Sequence, residues 1–351
     1  MLIVKLLEID NGFSTLIYEK SGGKEYIYLA FYDDKELEDL TSRHIFFSSK
    51  DKIPIENIQD SITRDSGVNL LIKREDLLHP FVSGNKFRKL KYNLVEAKRQ
   101  NASRLITFGG AYSNHILAVA AAGYENNFQT TGIIRGEETQ PLNPTLAKAQ
   151  NSFGMKLYYA NRSSYRTKSK EDLLDMLGIN CRHTYIIPEG GTNTLAVKGC
   201  AEIVEDLQID PDFICCSCGT GGTLAGIICA VSAKTKVTGF SALKGDFLKD
   251  DIEKLVNACN NNTYINWEVN NDFHFGGYAK FNDRLIEFIN HFRTSHGIPL
   301  DPIYTGKMMY GIYALMKSGY FKKGNTVLAI HTGGLQGIEG FNQRFGKLIR
   351  N

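Results

Sequence analysis

From Ile53 to the C-terminus, short apolar runs alternate with amphipathic stretches of helical length, a pattern that predicts an α/β protein built on mainly parallel sheets. Three junctions carry the pattern most clearly. Leu105-Ile106-Thr107-Phe108 is followed by the polar turn Gly109-Gly110-Ala111-Tyr112-Ser113-Asn114-His115 and then by the Ala-rich run Ile116 to Gly123. Phe213 to Cys218 leads into Gly219-Thr220-Gly221-Gly222-Thr223 and a helical run from Leu224 to Ala233, and Val327-Leu328-Ala329-Ile330 leads into His331-Thr332-Gly333-Gly334. Such turns are expected at the carboxyl ends of strands, where open α/β sheets bind ligands. The first 48 residues read differently. Ser14 to Tyr18 and Tyr26 to Phe31 are β-rich runs on either side of Ser21-Gly22-Gly23, which predicts a hairpin and offers no catalytic group.

The length of 351 residues allows two domains, or one large domain with a smaller one, and 42% hydrophobic with 23% charged residues is the balance of an ordinary globular protein. The 33 glycines, against 8 prolines, matter because they cluster at the turns just named. A net charge of +3 with both signs interspersed argues against nucleic acid as a partner. No apolar run approaches the ~18 residues of a membrane span, and Met1-Leu2-Ile3-Val4-Lys5 lacks the order of a signal peptide, so a cytoplasmic protein is expected. Seven cysteines show no paired metal-ligand spacing, and Cys215, Cys216 and Cys218 lie in an apolar run that predicts buried packing rather than a metal site.

Two segments carry candidate chemistry. Gly219 through Thr223, at an expected helix start, has the parts of a phosphate cradle: glycines that let the backbone approach an anion, converging N–H groups and threonine hydroxyls. It lacks the lysine of a P-loop and does not fit the dinucleotide fingerprint, so alone it does not separate phosphate binding from a tight turn. Lys86, in Gly84-Asn85-Lys86-Phe87-Arg88-Lys89-Leu90, opens an expected helix, where the helix dipole and burial favour a neutral amine able to attack an aldehyde. The Ser-, Arg- and Lys-rich stretch from Tyr158 to Asp172 reads as an exposed connection without function.

Taken in order, Lys73-Arg74-Glu75-Asp76, Gly84 to Leu90, Ser113-Asn114-His115, Gly219 to Thr223, Tyr304-Thr305-Gly306-Lys307 and His331 to Gly334 resemble the family containing D-cysteine desulfhydrase and 1-aminocyclopropane-1-carboxylate (ACC) deaminase. The resemblance covers Ile53 to Phe345. It implies the tryptophan-synthase-β-like fold of type II pyridoxal-phosphate (PLP) enzymes. Two open, twisted, mostly parallel sheets would be flanked by helices, with the cofactor in a cleft between a large domain (49–89 and 187–351) and a small one (90–186). The resemblance leaves residues 1–48, a β-rich extension of unknown role, unexplained. The resemblance also implies roles. Lys86 would carry PLP as a Schiff base and act in catalysis; Asn114 would donate to the cofactor's 3′-oxygen; Gly219, Thr220, Gly221, Gly222 and Thr223 would hold the phosphate; Thr332 would meet the pyridine nitrogen. Ser113 and His115 would sit beside the substrate carboxylate at a helix start, Ser113 also acting in catalysis, and Asn114 and Tyr304 would bind substrate as well. Tyr304 and Tyr278 would flank the reacting face, their hydroxyls orienting substrate or moving protons. His331 is expected to be structural, and a homodimer acting on a small amino acid is implied.

Two positions bear on the substrate. ACC deaminases resemble Tyr-Glu-Gly-Lys where this chain has Thr305, and His-Leu-Gly-Gly where it has Thr332. Replacing a carboxylate beside the pyridine nitrogen with threonine makes a milder electron sink, suited to expelling a thiolate. His115 stands where ACC deaminases carry Gln. The expectation is therefore deaminating β-elimination of D-cysteine to pyruvate, hydrogen sulfide and ammonia, with ACC deamination as the alternative. Gly276 before Gly277-Tyr278, and Tyr112 before Ser113, depart from the family pattern near the substrate. Two other classes stay open: a nucleotide-binding α/β protein without a Schiff base, and a PLP-binding protein without turnover.

Overall fold

A computed structural model describes residues 53–205, 207–259 and 262–350 in full, and residues 2–9, 12–21 and 24–29 as backbone strands. The last three are β1 (Leu2–Ile9), β2 (Gly12–Ser21) and β3 (Lys24–Leu29), paired antiparallel in the order β1-β2-β3. The expected hairpin is present as the β2–β3 pair, with Ser21 opposite Lys24. Gly22, Gly23, Ala30 and Phe31 lie outside the described residues.

Two further sheets follow. The larger takes β4 (Ile55–Ile58), β5 (Asn69–Lys73), β10 (Phe213–Cys218), β11 (Lys236–Ser241), β12 (Trp267–Asn270) and β13 (Thr326–Ile330), in the order β12-β11-β10-β13-β5-β4. Only the edge pair β4–β5 is antiparallel. The smaller takes β6 (Arg104–Gly110), β7 (Gln129–Arg135), β8 (Lys156–Ala160) and β9 (Thr184–Ile187), in the order β8-β7-β6-β9 and all parallel.

Strands of a sheet covered on both faces are apolar on both faces, and β10 shows how each side is used. Cys215 joins a core with Met308, Met309 and Ile312 from the helix Thr305–Lys317. Ile214, Cys216 and Cys218 join Leu224, Ile227 and Ile228 from the helix Gly222–Ala230 on the other face. The three cysteines are fully buried and unpaired, as expected of small hydrophobes. Burying a side chain the size of Ile227 or Met308 contributes about 1.5–3 kcal/mol.

Close helix packing positions the later site. A side chain at Gly199 would stand 2.0 Å from the Arg88 carbonyl oxygen, and one at Gly226 would stand 2.5 Å from the Cys200 Cβ. Glycine at both places lets the helix Thr194–Glu205 touch the helix Asn85–Arg99 on one side and Gly222–Ala230 on the other. The first turn of Asn85–Arg99 is thereby held beside the turn that follows β10. A buried ion network fixes the same helix to the sheet: Glu75 pairs with Lys73 at the end of β5 (2.9 Å) and with Arg88 (2.9 Å). Burial pushes the Glu75 carboxyl up, and Arg88 and then Lys73 more than reverse this, holding it below the usual carboxylate range.

Candidate active site

The carboxyl ends of β6, β10 and β13 open on one cavity of about 1010 Å³. Its walls include Lys86, Ser113, Asn114, His115, Gly219, Thr220, Gly221, Thr223, Tyr278, Tyr304 and Thr332, so all but one of the expected site residues converge there. The exception is Gly222. It is buried behind the wall, where a Cβ would meet Thr192 at 2.9 Å and the Lys89 amine at 3.2 Å.

Lys86 is the second residue of its helix, after Gly84, whose φ of 61° suits glycine. Its Nζ makes one long contact, 3.5 Å to the Gly190 carbonyl. Burial, with the neighbouring Lys89 charge adding to it, pushes this amine down to about 7. Near neutral pH a large fraction of Lys86 is therefore an unprotonated nucleophile.

Around the turn after β10 the polar groups are matched. Lys89 Nζ donates to the Gly190 carbonyl (3.1 Å), Thr192 Oγ1 (2.9 Å) and Thr220 Oγ1 (3.3 Å), and the two threonine hydroxyls bond each other at 2.6 Å. Asn85 donates to Thr223 Oγ1 at 2.8 Å. Gly221 begins the helix Gly222–Ala230 with no side-chain cap, leaving the first backbone N–H groups to an anion. At the end of β13, Thr332 and Ser217 hydroxyls lie 2.9 Å apart.

On the opposite wall Ser113 caps the helix Asn114–Glu125, its hydroxyl accepting from the Ile116 N–H at 3.4 Å. The Asn114 side-chain oxygen is buried and accepts no hydrogen bond among the described residues. His115 is more deeply set than a substrate-binding histidine was expected to be. Its Nε2 lies 2.8 Å from the Thr107 hydroxyl, and only Nδ1 lacks a hydrogen-bond partner. Burial first, then the Lys86 and Lys89 charges, hold the ring neutral by lowering its pKa well below the usual histidine value.

Tyr304 sits where the helix Thr305–Lys317 begins, its ring against Gly219, where a Cβ would stand 3.1 Å from it. Asp301 fixes that turn by accepting from the backbone N–H groups of Ile303, Tyr304 and Thr305. Thr305 corrects the reading of the Tyr-Thr-Gly-Lys motif. Its hydroxyl donates to Asp301 at 2.7 Å and the residue is absent from the cavity wall, which Thr332 and Ser217 both line. The Tyr278 ring meets Tyr304 edge-on, centroids 6.2 Å apart. Lys307 anchors the Tyr278 segment by donating to the carbonyls of His274 and Gly277, each at 2.8 Å. His331 is wholly buried, bonded to the Pro299 carbonyl at 2.7 Å and without contact to the cavity.

Comparison with known proteins decides what such a cavity holds. The family model described as pyridoxal-phosphate dependent enzyme matches residues 54–333. The chain belongs to that family. A putative ACC deaminase of Pyrococcus abyssi is 32% identical over 303 residues, covering 82% of this chain and 91% of the relative. The bifunctional D-cysteine desulfhydrase/ACC deaminase of Arabidopsis thaliana, a mitochondrial protein, is 32% identical, covering 82% of this chain and 77% of the relative. The crystal structure of an ACC deaminase homologue superposes with a TM-score of 0.72 at 27% identity, over 85% of this chain and 94% of that one. At 18% identity and a TM-score of 0.60, threonine deaminase isoform 2 of Solanum lycopersicum shares the fold, over 90% of this chain and 95% of that one. The fold is that of the type II pyridoxal-phosphate enzymes.

The residues fit this cofactor. A lysine amine held near neutrality, an uncapped helix start lined with threonine hydroxyls, and an unpaired buried amide oxygen at Asn114 suit its aldehyde, phosphate and ring hydroxyl in turn. Sequence reading missed Lys89 and Ser217, which share this wall, and Thr192, which bonds Lys89 and Thr220 from behind it. It also passed over the 158–172 stretch. Arg162, Ser163, Tyr165 and Arg166 in that stretch line the cavity mouth.

Proposed function

We propose that this enzyme carries out deaminating β-elimination on a small amino acid, D-cysteine first among them, giving pyruvate, hydrogen sulfide and ammonia. The observation that carries the reading is the Lys86 amine, near neutrality and facing the same cavity as the uncapped turn after β10. Bound pyridoxal phosphate supplies the electron sink that makes the hydrogen on the amino acid's Cα acidic. In this reading Gly219, Thr220, Gly221 and Thr223 grip the phosphate through backbone N–H groups and hydroxyls, with Lys89 behind them. Asn114 faces the ring hydroxyl, and Thr332 with Ser217 the ring nitrogen as neutral partners. Ser113 and the start of its helix take the substrate carboxylate, while neutral His115 packs behind it. Lys86 Nζ takes the Cα proton, and the Tyr304 hydroxyl, with Tyr278 beside it, protonates the departing group.

Relatives that act on D-cysteine and ACC support this assignment, as does the absence of any carboxylate beside Thr332 among the described lining residues, where Glu189 is the only acid. The large unit is proposed to comprise 49–89 with 187–351 and the small one 90–186, in a cytoplasmic homodimer. Among the described residues no helix is long and apolar enough to cross a membrane. The test is the visible absorbance of the purified protein followed by release of the 2-oxo acid, pyruvate from D-cysteine, L-cysteine and D-serine and 2-oxobutanoate from ACC. Release from D-cysteine is expected; release from ACC and from neither cysteine would reassign the substrate.

A further inference from the structure

The mouth of the cavity carries more positive charge than the reading above uses. Arg135 ends β7, Arg162 and Arg166 lie on the short helix Arg162–Thr167, and Arg344 comes from the helix Gly337–Phe345. All four are exposed, all line the same cavity, and Glu189 is the only acid among the described lining residues. Glu189 is a distant partner for Arg135, at 3.9 Å. Arg162, Arg166 and Arg344 have no ion pair among the described residues. Like charges four apart on a helix repel, yet both face this opening. The Arg135 guanidinium stacks 5.6 Å from the Tyr165 ring on that same helix, which draws the three arginines into one group. Arg135 also lies beside Gly110, at the substrate end, its Nη2 3.5 Å from where a Cβ would stand. The cofactor phosphate and the substrate carboxylate are assigned elsewhere, to the turn after β10 and to the Ser113 helix start. A cleft of one sign with low-dielectric walls concentrates anions, and the cavity exceeds the needs of cysteine.

We propose that the enzyme takes α-amino acids whose β-substituent bears its own oxyanion, a phosphate or sulfate ester, with Arg135, Arg162 and Arg166 binding that group. This rests on the elimination reading. The reaction balances without a redox partner: the Cα–H and Cβ–O bonds break, the substituent leaves with the electron pair of the Cβ–O bond as phosphate or sulfate, and one water releases the remainder as pyruvate and ammonium.

The test uses holoenzyme with three substrates in both enantiomers: O-phosphoserine and O-sulfoserine, which are anionic at the substituent, and O-acetylserine, which is neutral there. Dissociation constants come from the cofactor absorbance and kcat/KM from pyruvate release, in the native protein and in the R162Q/R166Q and R135Q variants. The anionic-to-neutral preference, in binding and in kcat/KM, is expected to fall about tenfold in the double variant and to shrink with added salt. An unchanged ratio overturns the proposal, as does an R135Q loss equal for all three substrates, which would assign Arg135 to the α-carboxylate. Pyruvate from D-cysteine without preferential binding of the anionic esters leaves the elimination reading intact and removes this one. Tight, arginine-dependent binding without pyruvate from any substrate removes the elimination reading and keeps only the oxyanion subsite. If O-phosphoserine and O-sulfoserine differ, the shared oxyanion requirement stands and the better ester identifies the substituent.

Discussion

At the cofactor end of the cavity Lys89 directs its amine at three oxygen acceptors and Asn85 its amide at a fourth, while the Ser217 and Thr332 hydroxyls bond each other, all within 3.3 Å and mostly hidden from water. At the mouth, Arg162 and Arg166 are exposed and Arg135 has one ion-pair partner, at 3.9 Å. The first region is organised before anything binds, because burying polar groups without partners costs too much. The second is complete only with a ligand. Fixed binding of a constant cofactor belongs to the first kind of construction, and discrimination among substrates to the second.

Four measurements would break or sharpen this contrast. The largest effect is expected from Lys86→Ala, which should lower pyruvate release at least about 10³-fold, since a positioned nucleophile and proton acceptor is removed together. Next, Lys89→Met should weaken cofactor retention roughly 10–100-fold, the worth of hydrogen bonds to a charged group. Dialysis followed by absorbance reads this, and equal loss of turnover with every substrate would mark Lys89 as part of the preformed end. Lys307→Met, which frees the carbonyls of His274 and Gly277, should cut kcat/KM about threefold to tenfold through Tyr278 while the cofactor stays bound.

The smallest effect concerns the apo protein. The Lys86 amine falls from its ordinary 10.5 to about 7 on folding, so between those pH values the unfolded chain holds the extra proton and stability rises with pH. Below about 7 the cost of burying a charge is fully present; above 10.5 it is gone. Lys86→Met should therefore raise Tm at pH 7, with an advantage that shrinks toward pH 10. A pH-independent difference would place the amine in water rather than in the wall.

The same contrast explains what the sequence made legible. The alternation of apolar runs and glycine-rich turns identified β10 to the residue, Phe213–Cys218, because a strand covered on both faces has little freedom in composition. The helix after it begins two residues earlier than expected, at Gly222, because Gly221 can open it without a side-chain cap. The Tyr-Thr-Gly-Lys motif sets Thr305 where ACC deaminases carry a carboxylate beside the pyridine nitrogen. One turn of backbone decides otherwise, since Asp301 engages its hydroxyl. Lys89 lies one helical turn from Lys86 and was hidden only by the resemblance of any single lysine to a solvated one. Arg162 and Arg166 gave no signal, since exposed charges have no periodicity and Arg135, Arg162 and Arg344 are brought together only by tertiary folding.

Gly84 carries one more implication. A Cβ at this residue would stand 2.1 Å from the Thr332 carbonyl oxygen, and the next backbone N–H, that of Asn85, donates to the same oxygen at 3.2 Å. The strap bearing Lys86 and the loop bearing Thr332 are thus pinned together like two leaves on one rivet. A β-carbon at residue 84 would part the two, carrying the Lys86 strap away from the Ser217–Thr332 hydroxyl pair.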